Sequence, residues 1–263
     1  MPHFKVTLAI AILGCFAATA VQAQTAPAAP PAPAAPAAAE APASPLIFNI
    51  GVWSQYIFRG LSQTDYKPAV QGGIDYAHES GLYIGTWASN IQWLRDFGIS
   101  SGRVEIDIYG GYKQTIGDFG YDFGFLRYEY PGSVHAGATN PNTNELYAAG
   151  SYKFTTLKNS HSISNAFGNP ESKHSYYWEL TSAIPIVDTW TLTLHGGRQN
   201  FHGPTSDAAS YNDWKAEIAK DFGNGLSAGA GYTGTDADKS FYTPVDKRFI
   251  GKHTGYAFVK YNF

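Results

Sequence analysis

The sequence predicts an all-β fold, a transmembrane antiparallel up-and-down β-barrel of about twelve strands, with ten or fourteen as the alternatives. Three observations carry this. Runs of roughly ten residues with a period of two recur from Leu46 to Phe263, and no window of useful length holds a helical period. The connections between the runs alternate between long polar segments and tight turns, as in a barrel with long loops on one side of a membrane and short turns on the other. The chain closes on an aromatic strand, with Ala257, Val259, Tyr261 and Phe263 on one face and Lys260 and Asn262 on the other. Such a strand needs paired edges and one face in an apolar medium, and a closed barrel in a bilayer supplies both.

Composition fits alternation better than a thick soluble core. Of the 263 residues, 44% are hydrophobic and only 15% charged, with a mean hydropathy of -0.23. An apolar residue facing lipid, answered at each step by a polar residue facing a lumen, produces that mixture. Tyr 18, Phe 16 and Trp 6 are enough for aromatic girdles at two membrane interfaces. A net charge of -3 argues against a general nucleic-acid binder, which carries a basic footprint.

Residues 1–23 read as a secretory signal peptide. Lys5 supplies the positive start, Val6 to Ala20 the apolar run, and Val21-Gln22-Ala23 a small-residue cleavage site before Gln24. The apolar run is too short to span a membrane as a mature helix. A lipoprotein reading of Ile12-Leu13-Gly14-Cys15 is the alternative, but Leu13 is large for its place and the apolar stretch continues past the cysteine. Cys15 is the single cysteine, so a processed chain holds no disulfide. Residues 24–45 are mostly Ala and Pro, with Glu40 as the one charge. Such a segment cannot repay its ordering entropy and predicts a disordered or polyproline-II periplasmic tether, leaving 46–263 as the barrel.

In chain order the predicted strands are 46–59, 68–77, 82–89, 103–115, 120–130, 143–154, 160–167, 174–184, 189–200, 211–221, 226–233 and 248–263. In the first, Phe48, Ile50, Val52, Tyr56 and Phe58 share a face opposite Asn49, Gly51, Gln55 and Arg59. In the fourth, Val104, Ile106, Ile108, Gly110 and Tyr112 oppose Arg103, Glu105, Asp107, Tyr109, Gly111 and Lys113. The long connections are 60–67, 90–102, 131–142, 168–173, 201–210 and 234–247. The tight turns fall near 78–81, 117–120, 156–159, 185–188 and 222–225, where Gly, Asn and Pro supply the turn chemistry. From Phe125 to Glu129 the apolar face changes parity, which demands a bulge or an early exit from the membrane.

The run Phe58-Arg59-Gly60-Leu61-Ser62-Gln63-Thr64, followed by Lys67-Pro68-Ala69-Val70-Gln71-Gly72-Gly73-Ile74-Asp75-Tyr76 and Gly85-Thr86-Trp87-Ala88-Ser89-Asn90, resembles the TorF family of proteobacterial exported porins. Tyr130-Pro131-Gly132 and the closing strand fit as well. The resemblance covers most of 46–263 and is strongest in the first half; it implies a channel in the Gram-negative outer membrane and carries over no solute and no site. Ala257, Val259, Tyr261 and the final Phe263 also resemble the signal by which the barrel-assembly machinery recognises outer-membrane proteins, although Gly255 is out of the register of its stricter form.

Alternation assigns a set of lumen charges: Arg59, Asp75, Arg103, Glu105, Asp107, Lys113, Glu145, Lys153, Glu179, Arg198, Lys215 and Glu217. They form either a charged constriction that selects small solutes or a mutually neutralising interior that stiffens the wall. With six acids and six bases in the set, no charge preference follows. Arg59 is the candidate eyelet residue, with a structural ion pair as its alternative. The expected function is passive diffusion of small hydrophilic solutes; the alternative is a plugged structural or adhesive barrel acting through its loops. No cofactor, metal or oligomeric interface is read. Gly229-Ala230-Gly231-Tyr232-Thr233-Gly234 spells a dinucleotide fingerprint but lies in a strand and opens no helix. Asp236-Ala237-Asp238-Lys239-Ser240 begins like a calcium loop, with Phe241 where glycine is required and Lys247 where the bidentate Glu belongs. An enzyme is not expected: neighbouring residues on a strand face opposite ways, so His161 cannot serve Ser162, and His174-Ser175 is the other pair considered.

Overall fold

A computed structural model describes residues 45–263; the predicted signal peptide, its Ala23–Gln24 cleavage position and the Ala/Pro tether up to residue 44 lie outside the described residues. Twelve strands close into one antiparallel barrel. In order they are β1 (Leu46–Trp53), β4 (Ala69–Ala77), β5 (Leu82–Asn90), β6 (Val104–Ile116), β7 (Phe119–Glu129), β8 (Thr143–Tyr152), β9 (Thr155–Ser162), β10 (Tyr176–Val187), β11 (Trp190–Asn200), β12 (Tyr211–Gly223), β13 (Leu226–Thr235) and β14 (Thr254–Asn262). The two remaining strands, β2 (Ile57–Phe58) and β3 (Leu61–Ser62), form a separate hairpin between β1 and β4.

Each wall strand pairs with its sequence neighbours, and β1 pairs with β14 to close the ring, with Ile50 opposite Tyr261 and Val52 opposite Val259. The seam is completed beyond the last ladder pair. Phe48 and Phe263 exchange backbone hydrogen bonds of 3.0 and 2.9 Å, and their rings stack at 6.0 Å. Outside, Phe48, Ile50, Val52, Ile74, Ile84, Ile108, Leu146, Leu180, Leu194 and Val259 are all exposed. In water each such side chain forgoes roughly 1.5–3 kcal/mol of burial, so this belt belongs in an apolar medium.

Several predicted boundaries move, each for a local reason. The wall part of the first strand stops at Trp53 instead of running to Arg59, because the chain turns into the barrel. The turn expected at 156–159 lies at Lys153 and Phe154, between the paired Tyr152 and Thr155, with Lys153 at φ 53°. Thr155 and Thr156 are β-branched and belong to the strand that follows. The expected strand 160–167 is therefore β9, and 163–175 becomes loop. The last strand begins at Thr254 instead of 248, since Phe249 and Ile250 pack into a cluster with Leu61, Phe201 and Tyr242. No bulge occurs at 125–129: the β6–β7 register runs unbroken from Ile116–Phe119 to Ile106–Glu129, and the apolar Leu126 and Tyr128 simply face inward, buried. The register shifts lie instead at Pro185/Val187 and Asp221/Gly223, next to tight turns.

The six long connections meet at one end. One apolar cluster there combines Trp53, Tyr56, Trp87, Leu94, Tyr128 and Tyr130, and includes the single-turn helix α1 (Trp93–Asp96). A second unites Leu61, Ala166, Tyr211, Tyr242 and Ile250 with Ala209 of α2 (Ser206–Ala209). The long-loop end is thus filled by a small hydrophobic core of its own.

The seam gives a direct test. Phe263→Asp removes the stacked partner of Phe48, and aromatic pairs contribute about 0.5–1.5 kcal/mol beyond their buried area, while placing a charge on the apolar belt. A marked loss of the fast-migrating, heat-modifiable form on unheated gels is expected; a wild-type level of that form would contradict this role.

Candidate functional site

The site is the interior of the barrel at its long-loop end, built around the β2–β3 hairpin. Ile57 pairs with Ser62 and Phe58 with Leu61, leaving Arg59 and Gly60 as a two-residue turn with φ of 46° and 78°. Positive φ at both central residues is the twist-matched hairpin turn. Gly60 suits it, and a Cβ there would collide with Thr235 Cγ2 and Asp213 Cβ, so the tip is pressed against β12 and β13. Arg59 is the strained member, at a cost of order 1–3 kcal/mol for a non-glycine residue held in such a conformation.

The strain is offset by what Arg59 reaches. Its Nη2 donates to Glu145 Oε2 at 2.8 Å, and Nη1 to Glu145 Oε1 at 3.1 Å and Gln199 Oε1 at 2.7 Å. The guanidinium also lies over the rings of Tyr177, Phe58 and Phe167 at 4.3, 4.8 and 5.5 Å. Glu145 is on β8 and Gln199 on β11, so a side chain rooted between β1 and β4 bridges the lumen to the far wall. Both members of the ion pair have 1% exposed side chains. The pair is therefore shielded from water at this level.

The hairpin is anchored on every side. Ser54 N donates to Ala257 O at 2.8 Å, Gln63 N to Tyr56 O at 2.8 Å, Ser62 N to Ile250 O at 2.9 Å and Gln92 N to Gln63 O at 2.8 Å. Beside it, Arg248 Nε donates to Asp65 Oδ1 at 3.1 Å. Burial works against ionisation of Asp65, but the hydrogen bond and charge of Arg248, with help from Lys67, hold its carboxyl below the usual range.

Most of the charges assigned to the lumen face inward. Asp75 accepts from Tyr109 Oη at 2.5 Å, Glu105 from Tyr56 Oη at 2.7 Å and Glu217 from Tyr256 Oη at 2.5 Å. Asp107 and Lys215 point inward and are buried, and Lys113 lies 5.2 Å from the ring centre of Tyr83. Glu179 sits 3.9 Å from Lys158 Nζ and 3.7 Å from His195 Nδ1. Three assignments are corrected. Arg198 faces outward, where Nε donates to Asn200 at 3.3 Å, because Gln199 takes the inward parity. Arg103 precedes β6 and is exposed in the 91–103 loop. Lys153 occupies a tight turn 4.0 Å from Asp118.

The sequence reading omitted four inward charges. Asp122 accepts from Tyr83 Oη at 2.6 Å; Asp213 accepts from Tyr177 Oη at 2.9 Å and lies 3.1 Å from His195 Nε2. Lys158 was hidden by the misplaced turn, and Lys260 lies on the inward face of β14. Asp122 and Asp213 already held the right parity within predicted strands. Exposure rises along β6 from Glu105 to Lys113, and along β12 from Asp213 to Glu217, toward the short-turn end.

A row rule underlies the tyrosine–carboxylate pairs. Tyr109, Gly85 and Asp75 are register partners on β6, β5 and β4; Tyr256, Gly231 and Glu217 repeat the pattern on β14, β13 and β12. In each row the ring lies flat across the glycine to reach the acid. A Cβ on Gly85 would stand 2.5 Å from the Tyr109 ring and 2.6 Å from Asp75 Oδ1. Tyr83 and Tyr147 meet hydroxyl to hydroxyl across Gly111 and Gly124 in a fourfold row.

The motifs set aside earlier sit as follows. Gly229 to Gly234 lies within β13. Asp238 Oδ1 accepts from Ser240 N, Ser240 Oγ and Phe241 N in a local turn. His161 faces outward and its Nε2 meets His174 Nδ1 at 3.2 Å, whereas Ser162 is buried on the inward face and Ser175 Oγ donates to Ser172 O at 2.6 Å.

A closed antiparallel barrel with an apolar exterior and a charged interior defines a transmembrane β-barrel. Within that class, the chain belongs to the Gcw_chp family, bacterial proteins of unknown function, whose model matches residues 37–263. Among solved structures, it is similar to the KdgM porin, with 9% identity, a TM-score of 0.51, and coverage of 82% of this chain and 99% of that one. The NanC porin gives 9% identity, a TM-score of 0.52, and coverage of 82% and 98%. These likenesses concern the fold. No curated protein matches.

Two outcomes follow from this geometry. Arg59→Met leaves Glu145 buried without its cation, and breaking a buried pair in this way costs about 3–5 kcal/mol. Urea unfolding of the lipid-refolded barrel should show that loss, and the double variant with Glu145→Gln should recover much of it. Asp65, held low, contributes docking energy in full above the ordinary carboxylate range near ~4 and loses it as pH falls below that range through its own lower value. Limited proteolysis should therefore find the 54–68 segment more readily cut near pH 3 than at pH 6; equal protection at both would count against the Arg248 contact.

Proposed function

We propose that the protein is an outer-membrane channel for passive diffusion of small hydrophilic solutes, with the β2–β3 hairpin as its closure at the outer face. The observation that carries this reading is a barrel with a continuous apolar belt outside and charges on inward faces along its length. A wall that served only as an anchor has no use for inward Lys113, Lys158 and Lys260 toward the short-turn end. The similarity of the fold to the KdgM and NanC porins and the resemblance of Phe58 to Thr64 and the segments after it to the TorF family support the same reading. On this view the long loops face outward, the tight turns face the periplasm, and both lipid and the barrel-assembly machinery are partners. Ala257, Val259, Tyr261 and Phe263 present the assembly signal from the outward face of β14, after export through the segment cleaved between Ala23 and Gln24.

The second reading, a plugged structural or adhesive barrel acting through its loops, is favoured by one observation. The Arg59–Glu145 pair and the apolar clusters around it close the long-loop end. Planar-bilayer recording separates the two. A channel gives stepwise conductance in the wild type or, if the hairpin is mostly shut, on replacing Arg59 with Ala, which frees the latch. Silence in both proteins, each shown to be folded by heat modifiability, would leave the plugged reading standing.

A further inference from the structure

We propose that the lumen selects cations over anions, an inference that rests on the channel reading above and names the class of solute it passes. The sequence yields a balanced interior of six acids and six bases, but the structure does not keep that balance. Three of the bases leave the bore: Arg198 faces outward, Arg103 lies in a loop and Lys153 in a turn. Asp122 and Asp213 enter it with Lys158 and Lys260. Among the described residues the inward wall and its hairpin then hold nine acidic side chains, Asp221 at the short-turn rim of β12 included, against Arg59 and four lysines. Acidic side chains thus outnumber basic ones on the inward face.

The buried acids gather at the level of the hairpin. Glu105, Asp107, Glu145, Glu179 and Asp213 are all buried at the level of the hairpin, each no more than 5% exposed. Glu145 is committed to Arg59, and Glu105 and Asp213 to tyrosine hydroxyls. Two acids are not committed in this way. Asp107 Oδ1 and both carboxylate oxygens of Glu179 have no hydrogen-bond donor among the described residues, although each residue is only 2% exposed. The cations nearest Glu179, at 3.7 and 3.9 Å, stand beyond hydrogen-bond reach. Buried carboxyl groups without donors, aimed into the lumen, become stations for a passing cation once the hairpin yields and water reaches them. Rings of acidic side chains within low-dielectric walls raise the local concentration of cations and exclude anions.

The test is the reversal potential of the full, lipid-inserted protein in planar bilayers under a tenfold KCl gradient, read as a potassium-to-chloride permeability ratio. The wild type should favour potassium by about tenfold, the lower end of the enrichment expected from such a field. The double variant Asp107→Asn and Glu179→Gln keeps side-chain size and should bring the ratio toward unity. Arg59→Ala, which removes the one cation at the narrow level that crosses the bore, should raise it. Arg127→Gln, on the outward face, should leave it unchanged. A ratio at or below unity in an open wild-type channel, or a double variant as selective as the wild type, would overturn cation selectivity while leaving the channel reading intact. A barrel that stays silent even as Arg59→Ala would overturn both.

Discussion

Closure of the hydrogen-bonded ring is the constraint on which the rest of this structure depends. In a bilayer an unpaired strand edge leaves a row of backbone groups without partners, each costing several kcal/mol. The β1–β14 pairing and the Phe48–Phe263 exchange leave no such edge in the wall among the described residues. Once the ring is closed, the period of two leaves little choice. Residues facing out must be apolar, and residues facing in may carry charge only if water, a counter-charge or a hydroxyl meets them. The buried tyrosine–carboxylate pairs and the Arg59–Glu145 bridge answer that requirement from within the protein.

The β2–β3 hairpin solves a second problem. Six long connections at one end of a narrow barrel cannot all remain solvated without leaving their aromatic residues exposed. Folding the first of them inward gives Tyr56 and Phe58 a core to join and gives Arg59 a far wall to reach. The left-handed backbone at Arg59 is tolerated because several independent interactions fix it: a bidentate carboxylate, an amide oxygen and three rings. The hairpin is also separate from the wall ladder, since β2 and β3 pair only with each other.

The wall was legible because period-two alternation and turn chemistry are local signals. β4, β5, β11 and β12 begin or end within a residue or two of their predicted limits, and the twelve-strand count follows from the alternation of long and short connections. The hairpin was not legible. Tyr56 and Phe58 continue the alternation of β1 so smoothly that the strand reads on to Arg59, and Arg-Gly lacks the Asn-Gly or Asp-Gly signature that would have flagged a turn. The site suffered for related reasons. Parity alone cannot distinguish Arg198 from its inward neighbour Gln199 when a one-residue slip exchanges the two faces. Which acid finds a hydroxyl depends on partners two strands away, and no local window contains both.

The glycines beneath Tyr109 and Tyr256 have a further consequence. Because each ring lies flat only where the neighbouring strand lacks a Cβ, the calibre of the bore is written in hydrogens rather than in large side chains. One added methyl at Gly85 or Gly231 would collide with the ring of Tyr109 or Tyr256 and force it off the wall. The shape of the lining therefore rests on a handful of glycines, and a change at any one of them would recast the interior while the lipid-facing surface stays as it is.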